Sequence, residues 1–266
     1  MTTLGFIGAG NMGTAILKGF SSSEAAKEVS ISVYDISIGK RKTLKQSGFS
    51  VYNDEIEIAK QCKYIILACK PQQLPELLEK IKSCISSETV LISLCAGISV
   101  EIIRKYTGEN TKVILVMPNM PILLGEGASA VACDEKVSNE EFMFVRSIIE
   151  SCGIAETIPL DKMNEIICIN ASSPAFIYLF AKGFADYAEE HGINGKAALD
   201  LFSQTLIGAG KMLMSSDKSI DELIAQVASK GGTTFAGLEA FHSGGLENIV
   251  KNACEACTKR AYELGS

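Results

Sequence analysis

The first 160 residues alternate between two patterns of apolar positions. Short runs that are apolar almost throughout, such as "TLGFIGAG", "YIILACKP", "TVLISLCAG" and "KVILVMPN", are separated by longer stretches such as "NMGTAILKGFSSS", "QLPELLEKIKSCI" and "SVEIIRKYTG". In the longer stretches apolar residues recur three or four positions apart. The short runs predict strands covered on both faces, and the long ones amphipathic helices. Three more strands are predicted at "VSISVYD", "GASAVAC" and "IAETIPL". Helix "IGKRKTLKQSG" closes on Gly48, and "SNEEFMFVRSIIESCG" opens with a serine and carboxylates, which suit a helix N-terminus. Buried strands alternating with helices predict an α/β unit, a parallel sheet wound with helices on both faces.

After Asp161 the strand signals stop. "DKMNEIICINASSPAFIYLFAKGFADYAEEHG" reads as a long helix interrupted near Ser172-Ser173-Pro174. "NGKAALDLFSQTLIGAGKMLMSS", "SIDELIAQVAS", "TTFAGLEAFHSGG" and "LENIVKNACEACTKRAYELG" follow with helical spacing. The expected division is therefore 1–160 for the sheet and 161–266 for an all-helical unit. Several apolar helices in so short a unit bury more surface against a second copy than alone, which predicts at least a homodimer.

Composition narrows the possibilities. Of 266 residues, 47% are hydrophobic and 21% charged, enough for a packed core. The net charge of −6, with no long basic run, argues against nucleic acid as a partner. No unbroken apolar run approaches the roughly 18 residues of a membrane span. The start, "MTTLGFIGAG", lacks a basic segment followed by an apolar block, so no signal peptide and a cytoplasmic location are expected. Nine scattered cysteines suggest free thiols in a reducing compartment. "CEAC", Cys254 to Cys257, has a metal-like spacing without a second pair and reads as two thiols on a helix, so no metal site is expected. The two histidines, His191 and His242, sit near glycines and outside any recognisable catalytic setting.

Chemistry enters at two glycine clusters. Gly8-Ala9-Gly10-Asn11-Met12-Gly13 spells G-x-G-x-x-G between a predicted strand and a predicted helix, the context that marks a dinucleotide-binding turn. Gly8 allows the tight turn, Gly10 lets backbone approach a pyrophosphate, and Gly13 lets helix and strand pack closely. The helix start then offers unpaired N–H groups and a positive dipole end. The N-terminal unit is thus expected to be a doubly wound Rossmann domain. At the end of the second strand, Asp35 can accept hydrogen bonds from a free ribose 2′-hydroxyl, which tips the balance toward NADH. Ser37, Lys40 and Arg41 follow closely and can hold a 2′-phosphate, so NADPH stays open.

The second cluster, "SKGGTTFAGLEAF" from Ser229 to Phe241, opens a helix with two glycines and two threonines. Two readings are compatible with it. One is ordinary capping after a glycine hinge. The other is an anion site, in which the N–H groups of Gly231, Gly232, Thr233 and Thr234 converge on a carboxylate and the hydroxyls add donors.

In order and spacing, several stretches resemble the pyrroline-5-carboxylate reductase family over nearly the whole chain. They are "GFIGAGNMG", "LACKPQ", "SLCAGIS", "MPNMP", "EGASA", "GAGKML", "SKGGTTFAGL" and "SGGLENIVKNACEA". The resemblance implies NAD(P)H-dependent reduction of a cyclic imine to proline, the last step of proline biosynthesis. It also implies an all-α dimerisation domain and often a decamer of five dimers. It places cofactor contacts on Ala9, Asn11, Met12, Cys69, Lys70, Ala96 and Asn119, with Pro71 and Gly97 beside them. Substrate contacts fall on Ser229, Gly231, Gly232, Thr233 and Thr234. Thr234 is the candidate catalytic hydroxyl, bonded to the imine nitrogen, and Lys70 reads as a cation facing the cofactor rather than a general acid. The chain departs from the family pattern at Lys230, at Asn170, Ala171 and Ser173, at Met120, and in lacking an arginine shortly before Met117. Two rival readings stand beside this one. A β-hydroxyacid dehydrogenase would use a lysine on the first long helix after the sheet, and Met163 to Ala181 contains none. A protein of this fold that binds cofactor without turning over an imine is the other.

Overall fold

The computed structural model describes residues 1–264. In chain order the elements are β1 (Thr2–Ile7), α1 (Asn11–Ser21), β2 (Val29–Tyr34), α2 (Ile38–Gln46), β3 (Ser50–Val51), α3 (Glu55–Gln61), β4 (Tyr64–Leu67), α4 (Leu74–Ile81), β5 (Val90–Ser93), α5 (Val100–Thr107), β6 (Lys112–Met117), β7 (Gly127–Cys133), α6 (Asn139–Glu150) and β8 (Gly153–Thr157). Helices α7 (Ser173–Glu190), α8 (Gly195–Ser215), α9 (Ile220–Val227), α10 (Thr233–Ser243) and α11 (Leu246–Leu264) complete the chain. They form two compact units. One is residues 1–174 with the part of α11 from Ala256 onward, and the other is Ala175–Glu255.

The first unit is a single sheet of order β3-β2-β1-β4-β5-β6-β7-β8. The uninterrupted apolar strands are buried on both faces, and alternate residues serve opposite sides. In β4, Tyr64 and Ile66 join Phe20 of α1 and Val145 of α6. Their neighbours Ile65 and Leu67 instead join Ile58 of α3, Leu78 of α4 and Ile103 of α5. Helices α1, α2 and α6 thus cover one face and α3, α4 and α5 the other, which is the doubly wound arrangement.

The sheet is not wholly parallel, as the apolar pattern had suggested. β7 runs antiparallel to β6, with Ile114 opposite Cys133 and Met117 opposite Ala130. The connection, residues 118–126, is shorter than the crossover of about a dozen residues that a parallel neighbour requires, and it forms only a short 3₁₀ turn over Met120–Leu124. The longer passage through α6 restores a parallel pairing of β7 with β8. β3 and α3 also have no counterpart in the apolar pattern. Two residues make β3 and seven make α3, too few for a period to declare itself.

The second unit has almost no core of its own. Among the described residues from Ala175 to Glu255, only the hydrophobic residue Ala188 is buried. Phe184 stacks on Phe202 at 4.4 Å between ring centroids and Phe180 meets Phe241 at 5.8 Å. Yet Phe180, Phe184 and Phe241 all stay exposed, as do Leu179, Leu201 and Met214. So much apolar surface on a helical unit marks an interaction face. By composition alone, the stretch Glu165–Glu190 is long and apolar enough to cross a membrane, with mean hydropathy 1.3. No unbroken apolar run announces it, because Asn170, Ser172, Ser173 and Lys182 interrupt the stretch.

Candidate functional site

The strand order reverses direction between β1 and β4, and the carboxyl ends of those strands open onto a cavity of about 390 Å³. Open α/β sheets bind ligands in such a crevice. Gly8 and Gly10 line the cavity from the turn after β1, Asp35 and Ser37 from the end of β2, and Cys69 and Lys70 from the end of β4. A second cavity, of about 460 Å³, is lined by Ala9, Gly10, Asn11 and Lys40 among others. Lys40 borders both.

The three glycines of the first cluster play three different parts. Gly8 has φ +102°, and a Cβ there would stand 2.6 Å from the Ala68 carbonyl oxygen. A Cβ on Gly13 would meet the Gly8 carbonyl oxygen at 2.5 Å and the Ala68 Cβ at 2.9 Å, so helix and strands touch through this residue. Around Gly10 a Cβ would find nothing within 4 Å. Its missing side chain is required by nothing in the protein itself, which is what a backbone kept bare for a ligand looks like.

Helix starts sharpen this. The residues Ser37, Asp54, Ser99, Ser138, Asn194 and Ser219 cap α2, α3, α5, α6, α8 and α9 by accepting from the backbone three residues on. α1 and α10 begin instead on Gly10 and Gly232 with no side-chain cap. α4 also lacks one, but it runs on directly from a 3₁₀ turn over Pro71–Gln73. The first N–H groups of an uncapped helix have no partner within it and, with the dipole, favour an anion. The starts of α1 and α10 fall in the two glycine clusters; α11 also follows a glycine, Gly245.

Asp35 is tied into the turn. Its Oδ2 accepts from the Ala9 N–H at 2.7 Å and its Oδ1 from the Ser37 N–H at 2.8 Å. Lys40 Nζ lies 3.6 Å from Oδ2, and Arg41 donates to the Asp35 carbonyl at 2.9 Å. The carboxylate therefore braces the glycine turn as well as facing the cavity. At the far end of the cavity Glu55, Glu76 and Lys80 gather, with Lys80 at 3.4 Å from Glu55 and 2.9 Å from Glu76. Burial, followed by the Glu55 carboxylate, pushes the Tyr34 phenol above its ordinary value. These residues were not legible beforehand, because α3 and α4 bring them together from separate parts of the chain.

Other expected residues lie apart from the two cavities. Met12 and Gly13 are inside α1, and Pro71 starts the turn after Lys70. Ala96 is exposed and Gly97 is a buried turn residue with φ +74°. Asn119 is buried, and its Oδ1 accepts from the Ala128 N–H at 2.9 Å. Its Nδ2 donates to the Asn170 carbonyl at 3.2 Å. Asn170 in turn donates to the carbonyls of Met117 at 2.6 Å and Ala128 at 3.1 Å. One of the departures from the family pattern is thus a clasp across the ends of β6 and β7.

In the helical unit, Gly231 takes φ +75° and Gly232 precedes α10. A Cβ on Gly232 would meet the Ser229 hydroxyl at 2.6 Å, so that glycine serves the turn itself. Ser229, Thr233 and Thr234 are exposed. Among the described residues no cluster of three or more His, Cys, Asp or Glu side chains is placed to hold a metal. Cys254 and Cys257 lie on α11.

A bare helix start at the switch point of a doubly wound sheet, braced by an acidic residue at the end of the second strand, defines a dinucleotide-binding protein of the Rossmann class. Residues 3–97 match the family described as NADP oxidoreductase coenzyme F420-dependent, and residues 161–264 match pyrroline-5-carboxylate reductase dimerisation. A zebrafish (Danio rerio) protein named pyrroline-5-carboxylate reductase 3 is 33% identical, the alignment spanning 99% of this chain and 91% of that one. The chain belongs to the pyrroline-5-carboxylate reductase family. Its fold matches a Coxiella burnetii pyrroline-5-carboxylate reductase with TM-score 0.91 and 27% identity, over 100% of this chain and 99% of that one. It also matches a Plasmodium falciparum pyrroline carboxylate reductase with NADP bound, with TM-score 0.87 and 29% identity, over 100% of this chain and 98% of that one.

Proposed function

We propose that the protein reduces 1-pyrroline-5-carboxylate to proline with NADPH or NADH, as the last step of proline biosynthesis. The observation that carries this reading is the 33% identity to a pyrroline-5-carboxylate reductase along 99% of the chain, both units included. The two uncapped helix starts fit it, since the reaction has two anions to hold.

The start of α1 takes the cofactor pyrophosphate on backbone N–H groups that Gly10 leaves uncovered. Lys40, Ser37 and Asp35 face the adenosine ribose, with Lys40 the cation available to a 2′-phosphate. Bound nicotinamide supplies the hydride to the imine carbon. The start of α10 takes the substrate carboxylate through the N–H groups after Gly232. The Thr234 hydroxyl hydrogen-bonds the ring nitrogen and holds its proton in place. A protonated imine is already an electrophile, so orientation is most of what the chain must provide. A mechanism without a histidine base follows, in a chain with only two histidines.

The helical unit, with Ala188 its only buried hydrophobic residue among those described, fits a homodimer in which the exposed faces of α7 and α8 are covered by a second copy. Assembly of such dimers into a decamer, and a cytoplasmic location, go with the same reading. The test is NAD(P)H oxidation in the presence of pyrroline-5-carboxylate, compared with the reverse reaction on small hydroxy acids. Turnover of the imine alone is expected. Cofactor binding without imine turnover would overturn the assignment.

A further inference from the structure

Strands β4 and β5 pair in parallel with Leu67 opposite Ser93. Two residues beyond that pair, just past the ends of β4 and β5, stand Cys69 and Cys95. The chains stay adjacent past the strand ends, where the Leu94 N–H donates to the Leu67 carbonyl at 3.1 Å, and both cysteines pack in the cluster on one face of the sheet, an approach of the kind a disulfide needs. Cys95 Sγ already reaches across, donating to the Cys69 carbonyl at 3.4 Å. Cys95 is buried, whereas Cys69 is part-exposed and lines the 390 Å³ cavity beside Gly8, Gly10 and Lys70. Cys62 and Cys152 pack instead against Gly5 and Gly19.

We propose that Cys69 and Cys95 are a peroxide-oxidisable thiol pair whose disulfide weakens dinucleotide binding. This rests on the reading that the cavity holds the dinucleotide. The exposed member attacks first: the Cys69 thiolate sulfur takes one oxygen of hydrogen peroxide, giving a sulfenic acid and a hydroxide that takes up the proton the thiol released and becomes one water. The Cys95 thiol then displaces that oxygen as a second water, and the Sγ–Sγ bond forms. Two thiols are oxidised by two electrons and one peroxide is reduced. The environment favours this order. A hydrogen bond from the Cys95 thiol holds the Cys69 thiol below its ordinary value, while that contact, and then burial, push Cys95 up. An accessible, acidified thiol next to a resolving one is the arrangement found where thiols act as redox sensors. Bonded sulfurs stand about 2 Å apart, closer than hydrogen-bonded ones, so the turns after β4 and β5 must draw together. The first of these turns carries Cys69 and Lys70 in the cavity wall, and the second carries Ala96 and Gly97.

The full-length protein is treated with hydrogen peroxide, its free thiols are alkylated, and unreduced peptides are mapped by mass spectrometry. NADPH affinity is then read by fluorescence titration before and after dithiothreitol. The expected result is a Cys69–Cys95 peptide lighter by two hydrogens, and an NADPH affinity lowered at least about tenfold, the equivalent of one lost hydrogen bond to a charged group. Dithiothreitol restores it, and bound NADPH slows the oxidation. Cys95→Ala, which removes only the resolving thiol, keeps its NADPH affinity when reduced and carries one to three added oxygens on Cys69 after peroxide. Two free thiols after peroxide, a disulfide elsewhere, or a Cys69–Cys95 disulfide with unchanged NADPH affinity each overturn the proposal. Failure of the untreated protein to bind NADPH instead removes the cofactor reading beneath it.

Discussion

Gly10 and Gly13 sit three residues apart, yet the surroundings of their missing side chains predict opposite failures when each becomes alanine. At Gly13 the new methyl would lie 2.5 Å from a backbone oxygen, that of Gly8, and 2.9 Å from the Ala68 Cβ. Neither is the flexible end of a side chain, so strand and helix must separate. Overpacking of that kind costs about 1–3 kcal/mol, offset by up to about 1 kcal/mol of better helix propensity. Gly13→Ala should therefore be about 1–2 kcal/mol less stable. At Gly10 a methyl meets nothing within 4 Å, and φ −70° with ψ −170° suits alanine. The poorer cap, about 0.5–1 kcal/mol, is roughly balanced by a stiffer unfolded chain. Stability should stay within about 0.5 kcal/mol of the natural protein. What Gly10→Ala should lose is the pyrophosphate. Blocking one or two N–H bonds to a charged group, about 2–4 kcal/mol in all, weakens NADPH roughly 30- to 700-fold. Urea unfolding at one fixed protein concentration and NADPH fluorescence titration separate the two effects. A Gly10→Ala protein that binds NADPH as tightly as the natural one would refute the placement of the pyrophosphate on α1.

Other outcomes are equally open to measurement. Thr234→Ala should lower kcat/KM for pyrroline-5-carboxylate by roughly ten- to a thousand-fold, and unchanged kinetics would remove Thr234 from the mechanism. Lys40→Ala should weaken NADPH more than NADH, by roughly fivefold for a half-exposed cation; equal losses would show that Lys40 does not meet the 2′-phosphate. The Arg104 hydrogen bond holds the Asp134 carboxyl below its ordinary value. A folded-state pKa below the unfolded one stabilises above about pH 4 and loses that contribution as pH falls through the folded value. Asp134→Asn should then cost roughly 1–3 kcal/mol at neutral pH and flatten the acid limb of the stability curve; an unaltered limb would place the acid sensitivity elsewhere. Light scattering at micromolar concentration should give at least a dimer, and a monomer would leave the apolar faces of α7 and α8 without an explanation.

Local features were legible in the chain and distant pairings were not. The turn after β1 could be read because an apolar strand, three glycines and a helix lie within some twenty residues. The two bare helix starts were likewise visible as glycines where six other helices begin with serine, aspartate or asparagine. The reversed direction of β7 was present as a short connection over residues 118–126, but unbroken apolar runs describe burial and not direction. The brace between Asp35 and the Ala9 N–H joins residues 26 apart in sequence and leaves no pattern in either stretch. Glu55 reaches the cavity through α3, whose seven residues are mostly polar, and Lys80 through α4. The Asn119–Asn170 clasp joins residues 51 apart in sequence and leaves no local pattern either.

Tyr262, in the last turns of α11, donates to Glu165 at 2.8 Å, and both belong to the unit that contains the sheet. That unit is therefore discontinuous along the chain: residues 175–255 are threaded between its body and its final segment. During synthesis the strands can pair as they leave the ribosome, but the unit that carries the 390 Å³ cavity stays incomplete until residues 256–264 have been made. A shortened chain stopping anywhere in α11 should emerge with every strand present and that unit still unfinished.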